Sequence, residues 1–432
     1  MDSEHRQDAD ATWHWLPAND PNKSKRWYEK ELFAMKLLDW ELELQTVREG
    51  YDRKNGWFQP RVGILPGGGA VMTLTQNKLW GSDIFSALQT MRSDDSGRTW
   101  SDPQPQARLD RHTLPDGYDI CPCDFTPQWH AASGKLLGTG HTAIYHPGPM
   151  GEVAVDNLHR RELCYSGWDP ESGSWSEWQI LDYPDKEKFF WAGAGCTQRV
   201  DLPNGDLLIP VSVMPRSTVG SDFWKGCFFT TVIRASYDGE TLRYLEHGDE
   251  LSVPEPRGLY EASLTEYQGR FFLTLRNDVR AYVATGTDGL RFSKPVPWVF
   301  DDGLELGVNN TQQHWVTPSG GLFLTYTRRG ADNDEIVRHR APIFMAQVDP
   351  VRLCVIRSTE RVLVPKLGAQ LGNFGTVNVT PDESWVVTSE CMLGNAANPM
   401  DLEITEKRGG NNRLYIARIR WDALNRRLAS AD

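Results

Sequence analysis

From about residue 50 onward, apolar and polar positions alternate with a period of two in short runs, each bounded by Gly, Asp, Asn or Pro. Hardly any segment there carries the 3.6-residue spacing of an amphipathic helix. The chain therefore reads as strands and turns. One unit recurs along it: an apolar strand, a small polar turn holding Gly, and a second apolar strand. Its copies are 65–75, 130–140, 201–212, 265–276, 316–327 and 379–390, with Glu383 in place of the turn Gly in the last. The turns are spaced by about 63 residues on average. A second hairpin follows each copy, turning at Asp95-Ser96-Gly97, Asp169, Asp238-Gly239, Asp288-Gly289, Asp349-Pro350 and Trp421-Asp422.

Two hairpins per repeat make four strands, so the pattern predicts an all-β chain: a six-bladed β-propeller of four-stranded antiparallel blades. The last repeat lacks a fourth strand, whereas 40–47 (WELELQTV) is strand-like with no partner ahead of it. This N-terminal strand is expected to close the ring beside the last blade. Residues 1–39 then form an N-terminal arm with a short helix over 28–38, and residues 40–432 form the propeller.

In a propeller blade the strands run antiparallel outward from the axis. The starts of first strands therefore share one face with the loops joining second to third strands, and the Gly turns lie on the other. The first of these faces collects Arg61 and Asp83 from repeat one, His141, Tyr145 and His146 from repeat two, and Arg216, Asp222 and Trp224 from repeat three. Glu261, Arg276 and Arg280 come from repeat four, then Asn309, Asn310, Arg328, Arg329, Arg338, His339 and Arg340 from repeat five. Asn373, Phe374 and Glu390 complete it.

Arginine dominates that face, although the 432-residue chain has a formal charge of −12. The molecule as a whole repels nucleic acid and anionic membrane surfaces, so neither is an expected partner. Guanidinium groups converging on one mouth instead suit a planar anion such as a carboxylate, which they bind through parallel hydrogen bonds. No stretch approaches the roughly 20 apolar residues of a membrane-spanning helix. Met1–Trp13 has no apolar signal core, which predicts a cytoplasmic protein as written, or a periplasmic or secreted one if a signal has been removed. The seven cysteines are odd in number and scattered among apolar residues, as buried thiols are. Cys121-Pro-Cys123 lacks a second ligand pair, so no metal and no cofactor are expected. Gly67-Gly68-Gly69 leads into a strand without a following Lys-Ser/Thr, so it is a turn rather than a phosphate loop. Asp332-Asn333-Asp334-Glu335 reads as a solvated acidic loop rather than a calcium site.

Ser93-Asp94-Asp95-Ser96-Gly97-Arg98-Thr99-Trp100 fits the Asp-box pattern Ser-x-Asp-x-Gly-x-Thr-Trp at every fixed position. Residues 236–241 and 287–292 look like degraded copies. On these residues the chain resembles the sialidase (neuraminidase) superfamily, the Asp-box or BNR-repeat propellers, over roughly residues 50–425. The resemblance implies an arginine cluster holding a sugar carboxylate, an Asp acid/base and a Tyr nucleophile activated by Glu. Segment 261–276 is similar to the family segment in which that Glu precedes a cluster Arg, here Glu261 and Arg276. Asp83 is similar to the acid/base Asp, and Arg340 or Arg338 to the last cluster Arg. Two positions depart from the family pattern. The first cluster Arg is replaced by Phe58-Gln59-Pro60-Arg61, with Arg61 shifted, and Phe374 stands where the nucleophilic Tyr is expected. A phenyl ring cannot attack an anomeric carbon, so either Tyr260 serves instead or the mechanism differs.

Three activities follow as expectations. The first is an exo-acting glycoside hydrolase on a glycan with an acidic sugar, with Asp83 as acid, Glu261 as base or partner, and Arg61, Arg276, Arg338, Arg340, Asn310, Phe374 and Glu390 around the sugar. The second is a polysaccharide lyase on uronic-acid glycans, using His141 as base and Tyr145 as acid. The third is a glycan-binding propeller without catalysis, its 17 Trp supplying stacking platforms.

Overall fold

The computed structural model describes residues 36–78, 83–148, 152–220, 227–393 and 401–422. The chain divides into two units, Met1–Leu37 and Leu38–Asp432, the second holding every strand among the described residues. The helix expected over 28–38 lies, up to residue 35, outside the described residues, as do Asp222 and Trp224; residues 36–39 have no regular structure.

Among the described residues the second unit is all-β apart from one short helix, Leu402–Lys407, and a few 3-10 turns. Its sheets are mostly antiparallel and arranged as a propeller. Each of the six inner hairpins read from the sequence pairs antiparallel, at Ile64↔Ala70, His130↔Lys135, Asp201↔Leu207, Tyr267↔Arg270, Val316↔Phe323 and Thr380↔Glu383. The sheets themselves do not divide six ways. Four stand apart with four or five strands each, and a fifth contains twelve. The fusion arises at Trp191–Gly193, which pairs parallel with Arg161–Asp169 on one edge and antiparallel with Asp206–Met214 on the other. A strand that hydrogen-bonds along both edges joins two sheets that a turn would have separated.

The unpartnered strand finds its place in the last sheet. Trp40–Arg48 pairs antiparallel with Leu414–Trp421, in register from Trp40↔Trp421 to Thr46↔Tyr415. This join places the first strand of the unit against the last.

The turn at residues 93–100 is held by its own side chains. The Asp95 carboxylate accepts the Arg98 and Thr99 amides at 3.0 and 2.9 Å and the Thr99 hydroxyl at 2.6 Å, and Ser93 Oγ accepts the Gly97 amide at 2.8 Å. These turn amides have no ladder partner, so the side chains replace one. Asp169, Asp238, Asp288 and Asp349 each accept two amides two and three residues further on, repeating the device without the full motif. Trp100 lies edge-on to Trp385 of the last sheet, with ring centroids 6.4 Å apart, and Arg418 covers the Trp385 face. Trp175, Trp298 and Trp315 are fully buried between sheets, yet each indole N–H reaches an acceptor at 2.8–3.0 Å, so their burial leaves no unmade hydrogen bond. Most tryptophans of this kind are therefore core residues rather than sugar platforms.

Across the axis, the Gln198 side chain donates to Trp315 O and Thr376 Oγ1 and accepts the Trp315 amide, tying the third, fifth and sixth repeats together. A recess of about 720 Å³ opens at the Gly-turn end of the inner strands, lined by residues of all six repeats. Among the described residues its only charged lining residue is Arg199, which is paired with Asp201 at 2.8 Å. The charged groups gather at the opposite end.

Candidate active site

Six non-glycine residues with left-handed backbone lie at or just ahead of the inner strands, one per repeat: Gln59 (φ 54), Asp124 (50), Cys196 (58), Glu261 (45), Asn310 (47) and Asn373 (65). Such a conformation costs on the order of 1 kcal/mol each, so its recurrence eight to ten residues before every inner turn marks a constructed feature. Three coincide with ladder irregularities, between Phe58 and Arg61, Cys123 and Thr126, and Tyr260 and Ser263. An extra residue in a strand breaks the alternation of faces and re-aims the side chains beside it.

The arginines use the carbonyls exposed by this ring. Arg276 and Arg340 both donate to Asn310 O, at 3.2 and 2.7 Å, and Arg61 donates to Asn373 O at 2.5 Å and Pro60 O at 2.9 Å. Glycines provide the room. A Cβ at Gly375 would lie 2.5 Å from Arg61 Cδ, and one at Gly372 would lie 2.3 Å from Arg340 Cδ. This explains Leu371-Gly-Asn-Phe-Gly375 in physical terms: both glycines are cradles for guanidinium stems.

Glu261 is held by Arg276 through a short charge-assisted hydrogen bond. Burial pushes the Glu261 carboxyl up, but Arg276, Arg257 and Arg340 together outweigh it and hold the group below the usual carboxylate range. Glu261 is therefore ionised. Tyr260 is sandwiched between Arg257 and Arg276, whose guanidinium carbons lie 4.3 and 4.7 Å from its ring centre. Its hydroxyl donates to Asp278 and accepts from Arg257 at 3.0 Å, and burial raises its pKa well above that of a free phenol. It is a neutral group with its proton committed.

Arg340 shows the opposite imbalance. Burial first, then repulsion from Arg276 and Arg338, pushes its pKa down to about 9, while Glu261 opposes the fall. Its Nε, together with Arg276 Nε and Arg61 Nε and Nη2, is buried without a hydrogen-bond partner among the described residues. Arg338 is lowered by burial and by Arg276, and the Asp83 carboxylate opposes that shift; the same carboxylate favours the charged form of Arg161. Asp83 is exposed, with φ 64, and its carbonyl accepts the Tyr145 hydroxyl at 2.9 Å.

A recess of about 80 Å³ lies beside these groups, lined by His141, Arg161, Trp191, Ser212, Phe228, Arg257, Tyr260 and Glu261, with Ala192, Gly193 and Gly195 at its wall. Trp191, Phe228 and Tyr260 form a continuous aromatic side, with centroid separations of 6.5 and 5.8 Å. Around the recess and its rim, six guanidiniums (Arg61, Arg161, Arg257, Arg276, Arg338, Arg340) meet four carboxylates (Asp83, Asp124, Glu261, Asp278). The site carries an excess of positive charge within a negative molecule.

Of the residues expected from the sequence, Arg61, Asp83, Tyr260, Glu261, Arg276, Asn310, Arg338 and Arg340 form one electrostatically linked group, and His141 lines the recess. Three stand elsewhere. Phe374 is fully buried in an apolar cluster, edge-on to His314, and offers no surface to a ligand. Glu390 is 1% exposed and accepts from Arg413, Tyr415 and the Asn411 amide, so it is a structural counter-ion rather than a sugar-binding group. Tyr145 is buried with its hydroxyl spanning Asp83 O and the Phe85 amide beneath Arg111, and it does not line the recess with His141. Sequence reading missed Asp124, Arg161, Trp191, Arg257 and Asp278. For Asp124 a signal existed, since it occupies the same phase before its inner turn as Glu261 does.

No family model matches this sequence, and no curated protein does. Solved structures do share the propeller fold, sialidases among them. The Hadza microbial sialidase Hz136 is similar with a TM-score of 0.58 at 13% identity, over 87% of this chain and 68% of that one. The NanB sialidase of Streptococcus pneumoniae gives 0.57 at 11% identity, over 90% and 72%. A protein of unknown function from Dyadobacter fermentans DSM 18053 gives 0.54 at 15% identity, over 88% of this chain and 99% of that one. At such identities the likeness is one of fold.

Proposed function

We propose that this chain is a glycoside hydrolase of the sialidase superfamily, built on a six-bladed propeller, that removes a terminal acidic sugar. The observation that carries the reading is Arg340: a buried guanidinium whose pKa burial and its arginine neighbours push down to about 9, with an Nε that, like those of Arg61 and Arg276, has no hydrogen-bond partner among the described residues. An unmade hydrogen bond from a buried charged group costs about 1–3 kcal/mol or more. A carboxylate in the mouth would offset the repulsion among these guanidiniums and raise the pKa of Arg340 again. The six left-handed residues, one per repeat, support the six-fold count. A structural neighbour from Trypanosoma rangeli was solved with sialic acid, which supports an acidic sugar as the ligand class.

In this reading Asp83, exposed at the rim, protonates the leaving oxygen. Glu261, kept ionised by Arg276, stabilises positive charge developing at the anomeric carbon. With Phe374 buried and the Tyr260 proton committed to Asp278, water rather than a tyrosine is the attacking group, and the Asp83 carboxylate left by the first proton transfer takes up its proton. Aryl glycosides of sialic, uronic and neutral sugars test this. Turnover is expected for acidic sugars alone, with Asp83→Asn and Glu261→Gln each reducing it by about 10²-fold or more. Equal turnover of neutral sugars, or unchanged rates in both variants, overturns the proposal. So does an unsaturated, ultraviolet-absorbing product, which indicates elimination, or calorimetric binding without product, which indicates a lectin-like role.

A further inference from the structure

One cluster at the recess belongs to none of these roles. Register places Cys123 directly opposite His141 on the neighbouring strand, and the ladder irregularity that follows Cys123 puts Asp124 in the left-handed region. The result is that a thiol, a carboxylate and an imidazole, two of them adjacent in sequence and the third far from both, bring their donor atoms within 4.8 Å of one another.

We propose that Cys123 Sγ, the Asp124 carboxylate and His141 hold a divalent transition-metal ion of the zinc class. The gap between His141 Nε2 and Asp124 Oδ2 is 3.7 Å, too long for a hydrogen bond. It matches the roughly 3.3–3.7 Å that separates two ligands on a tetrahedral ion with bonds of about 2.0–2.3 Å. A mixed sulfur, nitrogen and oxygen set excludes magnesium and calcium, which take oxygen ligands, and suits zinc, cobalt or nickel.

The surroundings are built for the imidazole and the carboxylate. His141 lies over two glycines: a Cβ at Gly195 would fall 1.8 Å from its Nδ1, and one at Gly193 would fall 2.4 Å from its Cβ. Asp124 is 7% exposed, and Cys196 Sγ donates to its other oxygen at 2.8 Å, the kind of outer hydrogen bond that orients a metal-bound carboxylate. Charge also balances. On binding, the Cys123 S–H bond breaks, a sulfur–metal bond forms and the proton leaves to solvent, so one thiolate and one carboxylate neutralise the divalent ion. The neighbouring guanidiniums then face a neutral centre. Three protein ligands leave a fourth position, and His141 lines the recess. Cys121, the nearer sequence partner of Cys123, takes no part, since its thiol is not among the donor atoms gathered there; the Cys123 thiol donates to the His141 carbonyl at 3.4 Å, a weak bond that a sulfur–metal bond would replace.

The test is a titration of the chelator-treated full chain with Co(II), followed by optical spectroscopy and by metal analysis after Zn(II) loading. Expected are one ion per chain, a thiolate-to-cobalt charge-transfer band and the visible bands of a tetrahedral site. Cys123→Ser should abolish the charge-transfer band, His141→Ala should weaken binding by about tenfold or more, and Cys121→Ser should change neither. Circular dichroism confirms that each variant is folded. Absence of saturable binding, absence of the thiolate band, or native affinity in either Cys123→Ser or His141→Ala overturns the assignment. No sugar is needed, so failure here is separate from failure of the hydrolase reading.

Discussion

Removing the Arg276 guanidinium isolates the electrostatics of this site most cleanly. Arg276 and Glu261 have side chains only 6% and 18% exposed, and Arg276 also secures Asn310 O. Arg276→Ala leaves the Glu261 carboxylate buried without its bonded partner. Breaking such a pair from one side costs about 3–5 kcal/mol, and the lower end applies because Arg257 and Arg340 still act on Glu261. With an unfolding entropy of roughly 2.1 cal/mol/K per residue, a chain of this length moves its midpoint by about 1 °C per 0.9 kcal/mol, so Tm should fall by about 3–4 °C near neutral pH. The sign of the pH dependence follows from the depressed pKa. Glu261 titrates below its unfolded value of about 4.3, so its stabilising contribution is complete above that pH and is lost as pH falls through the folded pKa. In the variant that contribution is already gone, so the gap from the native protein should narrow on acidification. Adding Glu261→Gln to Arg276→Ala should recover part of the loss. Differential scanning calorimetry at fixed scan rate, at about pH 8 and about pH 3, measures all three proteins. A gap independent of pH, or a double variant less stable than Arg276→Ala, would refute the account of Glu261 as a buried anion held by Arg276.

Two further outcomes test the fold. Gly97→Ala in the 93–100 turn places a Cβ 2.3 Å from the Trp385 ring at φ +74, whereas Gly134→Ala at φ +66 meets nothing within 4 Å. The second should lose only the left-handed backbone term of about 1 kcal/mol, and the first about 2–4 kcal/mol; equal losses by denaturant titration would show that this turn is not packed against the last sheet. Among the seven thiols only Cys227 is exposed, so a thiol-specific dye should modify one cysteine rapidly in the native protein and all seven after denaturation. Fast native modification of two or more contradicts the burial described here.

The hydrophobic alternation and the turn residues determined on their own that this chain folds into repeated hairpins. They also determined where the turns fall and that the strand at residue 40 must find a partner near the C-terminus. These are local properties, since period-two burial and side-chain capping of turn amides act over a few residues. That Arg61, Glu261, Arg276 and Arg340 come together was legible too, because repeat phase tells which strand ends meet at the axis. What lay beyond the sequence was orientation. Whether Glu390 faces the mouth or Arg413, and whether Phe374 is a platform or core, depends on contacts between segments far apart in the chain. So does the fusion of two sheets through Trp191–Gly193, which needs both neighbouring strand edges to be open. The Cys123, Asp124 and His141 cluster shows the limit most plainly. Sequence spacing offered Cys121 as the partner of Cys123, but one left-handed residue and one cross-strand register chose Asp124 and His141 instead, because side-chain direction is fixed by backbone geometry that no residue type records.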